Sequence, residues 1–289
     1  MKVQKISSRG YLFSFAEPYQ TNSYVIKGDK YLYILDTFLG PEPMNNVLNH
    51  LRENGIEWKR IFVFNSHNDY DHVWGNCFFK KAIILSHFKC YELLESKGGE
   101  NLEKYKSHAL GKVKLVLPNF TFTDRIILPD DNLEFFYSPG HTVDSASCFD
   151  RRDDVLYVGD NIESPLPYIR IPNIQDYIKA LKEYLSLDVK IIISGHDEIH
   201  KGNTVIEDTL QYLENFKLLN IDIAEFTERK AKILHYTNLK TYGTLLKDSE
   251  QIDKGKKYLR EAIQLLRSMP DDLEGKSEEL NVLDDMINS

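Results

Sequence analysis

The residues best suited to chemistry fall in one short run, His67-Asn68-Asp69-Tyr70-Asp71-His72. Imidazole nitrogen and carboxylate oxygen bind zinc, iron or manganese without thiolates, and this run supplies two of each. In a tight turn, residues two apart (His67 and Asp69) aim at one ion while Asp71 and His72 aim at another. A solvated polar loop is the bland account of the same run. Three further positions argue against it. Gly140-His141, Gly159-Asp160 and Gly195-His196 each close an apolar run, with glycine directly before the candidate ligand. Glycine lets a backbone turn sharply and approach closely.

These side chains need rigid supports, and the periodicity provides strands. Ile61–Phe64, Leu133–Tyr137, Val155–Val158 and Val189–Ile193 read as apolar strands ending at the candidate ligands. Upstream, Tyr11–Phe15, Ser23–Ile26 and Tyr31–Leu35 read as consecutive strands, the last ending at Asp36. A helix stops at Gly55, with Val47, Leu48 and Leu51 on one face. Downstream, Ala82–Leu85 reads as a strand and Cys90–Glu95 as a short helix. Gly98-Gly99 then opens a polar, Lys-rich insertion, expected to be helical and to serve as a cover for a site. Phe120–Leu128 reads as one strand, Ala146–Phe149 as another, and Ile174–Leu185 as an amphipathic helix. Strands in two blocks, each followed by helices, imply two sheets with helices outside them. Beyond about Val205 only amphipathic helices remain, interrupted at Met269-Pro270. Gly243, Gly255, Leu259 and Ala262 fit one tetratricopeptide-like hairpin or an ordinary one. The expected units are 1–203 and 204–289.

Composition sets outer bounds. A net charge of -8 argues against a general nucleic-acid surface, and no apolar run is long enough to span a bilayer. The first residues lack the apolar core of a secretory signal. Cys77, Cys90 and Cys148 follow no ligand or disulfide spacing, so reduced thiols in a cytoplasmic protein are expected, with Cys77 and Cys148 in the core. His50, His108, His200 and His235 read as surface or partly packed. His87, just after a strand, reads either as packed in the same way or as supporting a ligand from behind.

Taken together, His67-x-Asp69-x-Asp71-His72, then His141, Asp160 and His196, resemble the signature of the metallo-β-lactamase superfamily. The Pro-Gly-His-Thr and Ser-Gly-His contexts match, and Leu35-Asp36-Thr37 matches the family's early acidic segment. The resemblance covers roughly residues 10 to 200. It implies an αββα sandwich, here followed by an all-helical extension, with a binuclear metal site on one edge. It also implies that His67, Asp69 and His141 hold the first metal, that Asp71, His72 and His196 hold the second, and that Asp160 bridges them. Asp36 would steady the His67 loop. Asp69 departs from the family, which mostly has histidine there. A carboxylate shifts preference toward iron or manganese. It is also similar to the flavodiiron proteins, which carry glutamate at this position; this chain lacks their flavodoxin-like partner domain.

The expected activity is hydrolysis of a small ester, thioester, lactone or phosphodiester by a metal-bridging hydroxide, with Asp71 relaying its proton. Two divalent ions are expected, zinc first, with iron or manganese as alternatives. The alternative function is a di-iron protein that binds or reduces oxygen or a related small molecule. Tyr168 and Arg170, in the loop after Asp160, either reach a substrate or pack a proline-bounded surface. Expected partners are a small-molecule substrate and, through the C-terminal helices, a second copy or another protein.

Overall fold

A computed structural model describes residues 1–270 and 275–288. The first sheet takes its strands in chain order. An antiparallel meander of β1 (Lys2–Lys5), β2 (Gly10–Phe15), β3 (Thr21–Lys27) and β4 (Leu32–Leu35) continues as parallel β5 (Ile61–Asn65), β6 (Ile83–His87) and β7 (Phe120–Phe122). The second runs β8 (Arg125–Leu128), β9 (Leu133–Tyr137), β10 (Ala146–Asp150), β11 (Val155–Tyr157), β12 (Ile191–Ile193) and β13 (His200–Lys201), with only β11 and β12 parallel. Helices α1 (Pro41–Glu53), α2 (Tyr70–Val73) and α3 (Phe88–Lys104) belong to the first half. Helices α4 (Ile174–Leu185), α5 (Thr204–Leu218), α6 (Arg229–Asp248), α7 (Ile252–Ser268) and α8 (Lys276–Asn288) follow in the second.

Central strands such as β4, β5 and β9 are apolar on both faces because both faces are covered. Along β5, Phe62 and Phe64 point to the inter-sheet core with Tyr33, Phe135 and Tyr157, while Val63 points outward against Met44, Val47, Leu51 and Leu94 of α1 and α3. Along β9, Phe135 faces inward and Phe136 outward, against α4. The result is a four-layer αββα sandwich. The outer core under α4 runs on without interruption into Ile206, Phe216, Leu239, Tyr258 and Leu283 of the C-terminal helices. Among the described residues no helix is long and apolar enough to cross a membrane.

Four expectations change. The segment 120–128 is two strands in different sheets. Phe120 pairs with Leu85 and Arg125 with Phe136, and the chain crosses over at Thr123-Asp124. The helix after β6 is longer than Cys90–Glu95 and passes straight through Gly98-Gly99. A Cβ at position 98 would lie 2.9 Å from both methyls of Leu115, so this glycine admits the returning segment rather than ending the helix. β1 carries no apolar signal of its own, and its Val3 pairs with Phe13. The C-terminal helices also break at 219–228 and at 249–251, where Leu219 and Glu250 take positive φ.

The two sheets are joined by charge at the end of β10 marked by Asp150. Arg9, just before β2, donates from Nη2 to Asp150 Oδ1 at 2.6 Å and from Nε to Oδ2 at 3.2 Å. The same guanidinium donates to the Asp131 carbonyl at 2.6 Å, and Arg9, Asp131 and Asp150 are all buried.

Candidate metal centre

All seven candidate ligands lie beyond the C-terminal ends of strands. His67 and Asp69 follow β5, Asp71 and His72 lie in α2, His141 sits between β9 and β10, Asp160 follows β11, and His196 follows β12. The first sheet thus contributes four side chains and the second three.

These side chains converge on one carboxylate oxygen. Asp160 Oδ2 lies 3.4 Å from His67 Nε2, 3.3 Å from His72 Nε2, 3.2 Å from His196 Nε2 and 3.9 Å from His141 Nε2. Asp69 Oδ2 is 3.5 Å from both His67 Nε2 and His141 Nε2. On the other side, Asp71 Oδ2 is 3.7 Å from His72 Nε2 and 3.5 Å from His196 Nε2. Two groupings result: His67, Asp69, His141 and Asp160, and beside it Asp71, His72 and His196. Within each, the ligand atoms lie within 4.8 Å of one another.

Each imidazole is oriented from behind through Nδ1. Ser66 Oγ lies 2.9 Å from Nδ1 of His67, and Asp36 Oδ2 lies 2.7 Å from that of His72. The Tyr168 carbonyl is 3.0 Å from Nδ1 of His141, and the Gln20 carbonyl 2.6 Å from that of His196. A proton fixed on Nδ1 leaves the Nε2 lone pair free to face a cation. Nε2 of His67, Nε2 of His72 and Asp160 Oδ1 are buried and have no hydrogen-bond partner. Polar atoms left so in a packed interior call for an explanation. A donor set of imidazoles and carboxylates fits a divalent cation in each grouping.

Electrostatics agree. Burial opposes charge on His67 and His196, as does neighbouring His72, yet Asp160, helped by Asp69 at His67 and by Asp71 at His196, outweighs both and holds each ring up at about 10. Burial also opposes ionisation of Asp160, but His196, His72 and His67 keep it well below the usual carboxylate range. Asp69 is likewise disfavoured by burial and held down by His141, His67 and Arg170. The cluster is built for positive charge.

The glycines before the ligands have local reasons. A Cβ at position 195 would stand 2.1 Å from Asp160 Oδ1. One at position 140 would stand 2.5 Å from Asn161 Oδ1, the acceptor of the His141 N–H.

Asp36, expected to steady the His67 loop, is fully buried and accepts four hydrogen bonds: from Ser66 N at 2.7 Å, Ser66 Oγ at 2.6 Å, His72 Nδ1 at 2.7 Å and Tyr157 Oη at 2.7 Å. Tyr157 was read only as strand. Asp144, three residues after His141, was not singled out; it accepts the Asn68 N–H at 2.8 Å across the sheets. Glu163 was also missed. Its Oε2 lies 3.8 Å from His141 Nδ1, and burial together with Asp160 pushes its carboxyl up. Arg170 reaches the site directly, through Asp69. Tyr19 donates to Tyr70 Oη at 2.8 Å, and Tyr70 lies 3.0 Å from His108 Nδ1, with Tyr19 tilted over His196. His108 therefore belongs to an aromatic wall beside the ligands.

His87 has a different job. It stacks on Tyr137, bonds the Thr123 carbonyl through Nε2 and accepts the Lys89 N–H at the start of α3. His235 is buried, 3.0 Å from Tyr212 Oη. Cys90 and Cys148 are buried, Cys77 is half-buried, and all three are free.

A family profile described as the metallo-beta-lactamase superfamily matches residues 16–196. No curated protein sequence matches the chain. Among solved structures, DIM-1 metallo-beta-lactamase exposed to ceftazidime is similar at 17% identity and a TM-score of 0.60, over 74% of this chain and 96% of that one. TMB-1 is similar at 18% identity and 0.61, over 75% and 98%. A metallo-beta-lactamase from Pontibacter korlensis is similar at 16% and 0.60, over 74% and 99%. At these identities the likeness is one of fold.

Proposed function

Because the chain belongs to the metallo-beta-lactamase superfamily, we propose that it is a binuclear metallohydrolase acting on a small ester, thioester, lactone or phosphodiester. The observation that carries this reading is the convergence of four imidazole Nε2 atoms on Asp160 Oδ2, at 3.2 to 3.9 Å. His67, Asp69 and His141 would hold one cation and Asp71, His72 and His196 the other, with Asp160 shared. Bound divalent cations acidify water near neutral pH and polarise a carbonyl or phosphoryl oxygen, so no serine or cysteine nucleophile is needed.

The chain's own residues do the rest. Asp71 is assigned as the proton acceptor, since its Oδ2 sits 3.5 Å from His196 Nε2 within the cluster and, among the described residues, forms ion pairs with His72 and His196 alone. Asp36, Ser66 and the Tyr168 and Gln20 carbonyls keep the imidazoles in one tautomer and one orientation. Tyr19, Tyr70 and His108 offer an apolar wall with hydroxyl edges for the substrate body. We propose residues 1–203 as the hydrolase unit and 204–289 as a helical extension. Asn238 of α6 joins the two by holding the loop that carries Tyr168 and Arg170.

A metal assay of purified protein, together with a panel of ester, thioester, lactone and phosphodiester substrates, tests the proposal. Bound zinc with turnover that disappears in Asp160→Ala supports it. Stoichiometric zinc without turnover on any member of the panel defeats it. A second reading, di-iron chemistry with oxygen or a related small molecule, draws on Asp69, whose carboxylate lies 3.5 Å from two imidazoles. It predicts two irons per chain and no hydrolysis.

A further inference from the structure

The two groupings differ in one respect that their ligand types do not reveal. Arg170 Nη1 pairs with Asp69 Oδ2 and lies 3.2 Å from His141 Nε2. A guanidinium therefore faces two of the three donors that the first grouping does not share. Among the described residues no guanidinium or ammonium pairs with the second. Among the described residues, the ion pairs of Asp71 are with His72 and His196 alone.

Arg170 is held in this position. Its N–H donates to the His141 carbonyl at 2.9 Å, and the Tyr168 carbonyl is 3.0 Å from His141 Nδ1. The preceding turn is clamped by Asn238, which is fully buried in α6. Its Oδ1 accepts the Ile169 N–H at 2.9 Å, and its Nδ2 donates to the Pro167 carbonyl at 2.8 Å. The Arg170 side chain as a whole remains 35% exposed, so it borders solvent into which it can swing. An arginine stays charged at every working pH and pairs strongly with carboxylates.

We propose that Arg170 is a built-in cation that makes the two metal positions unequal. A divalent ion entering the grouping of His67, Asp69 and His141 must displace Arg170 from Asp69, and until it does so it meets a like charge. An ion entering the grouping of Asp71, His72 and His196 displaces no such group. The second position therefore fills first and the first position fills weakly. Asp69 and Arg170 act as a pair: the carboxylate that replaces the family's histidine comes with a counter-charge. This inference rests on the reading that both groupings take divalent cations.

Chelator-stripped full-length protein, titrated with zinc by calorimetry and against a chromophoric chelator, tests it without reference to activity. Wild type should bind two ions in steps separated by at least tenfold. In Arg170→Gln the weaker step alone should tighten, by tenfold or more, while Arg170→Lys, which keeps the charge, should retain most of the gap. Asp69→Asn should weaken that same step and leave the tighter one unchanged, which keeps the test decisive if Arg170→Gln folds poorly. Two equal steps in wild type, or an Arg170→Gln change shared by both steps or absent from both, overturns the inference while leaving the metallohydrolase reading standing. Absence of zinc binding in every variant overturns both.

Discussion

Replacing Asp36 with asparagine isolates what its carboxylate contributes. Size is unchanged, and asparagine tolerates the positive φ of 59° found there. Oδ2 accepts from three donors and Oδ1 from the Ser66 N–H. In its best orientation the amide turns its oxygen to the three donors and sets NH2 against the Ser66 N–H. One buried donor then loses its partner, at about 1–3 kcal/mol. The three remaining bonds lose their charge assistance, at about 1 kcal/mol each. The sum is about 4–6 kcal/mol, a large share of the roughly 5–15 kcal/mol that separates folded from unfolded domains. Scanning calorimetry of the metal-free protein should show Tm lowered by about 10 °C, using about 2 °C per kcal/mol for a chain of this size. Zinc affinity should fall about 10- to 100-fold as His72 loses its orienting partner. A loss below about 1 kcal/mol in the metal-free state would refute the reasoning, since four bonds to one buried carboxylate cannot all be dispensable.

Asp160→Ala should stay folded and retain no zinc after desalting, as measured by elemental analysis; two bound ions in that variant would end the role of Asp160 as the shared ligand. Acid should destabilise the protein through two buried imidazoles. Burial lowers His87 and His235 to about 4 from an ordinary 6.5, so the stability tied to their neutral form is whole above 6.5 and drains away as pH falls toward 4. Denaturant melts from pH 7 to 4 should show this decline, and His235→Gln should flatten it; an unchanged slope would discount His235. A chain ending at Gly202 should aggregate, because it uncovers the α4 surface now packed by Ile206, Leu213 and Phe216; a soluble monomer with native circular dichroism would show that the helices are dispensable.

The candidate ligands stood out along the chain because their patterns are local: a His-x-Asp-x-Asp-His run after one apolar strand, and glycine directly before His141, Asp160 and His196 after three others. The groups that steady or oppose them are not local. Tyr157 reaches Asp36 across 121 residues of chain, and Arg170 reaches Asp69 across 101. Nothing in the spacing of Tyr157 distinguishes a bonded hydroxyl from ordinary strand packing. Gly98-Gly99 reads as a helix breaker by propensity, and the reason for Gly98, the Leu115 side chain, lies in a segment whose path only tertiary packing decides. The crossover at Thr123-Asp124 was hidden for a similar reason: Phe-Thr-Phe of β7 and Arg-Ile-Ile-Leu of β8 both read as strand, and only the partners they pair with separate them. The layered architecture was legible because both faces of each central strand are apolar.

The Arg9 ion pair and the ligand cluster lie at opposite ends of β10, since Ala146, its first residue, donates to the Ser66 carbonyl and Asp150, its last, accepts from Arg9. The sandwich thus resembles a clothes-peg: a permanent spring of buried charge at one end, and jaws that bring together four candidate ligands from one leaf and three from the other. An ion held there, as proposed, would add to the hydrogen bonds already crossing the jaws and hold the leaves together. Stripping metal should speed amide exchange at the jaw end of both sheets, around Asn65 and Tyr137, and leave the amides beside Arg9 and Asp150 as slow as before.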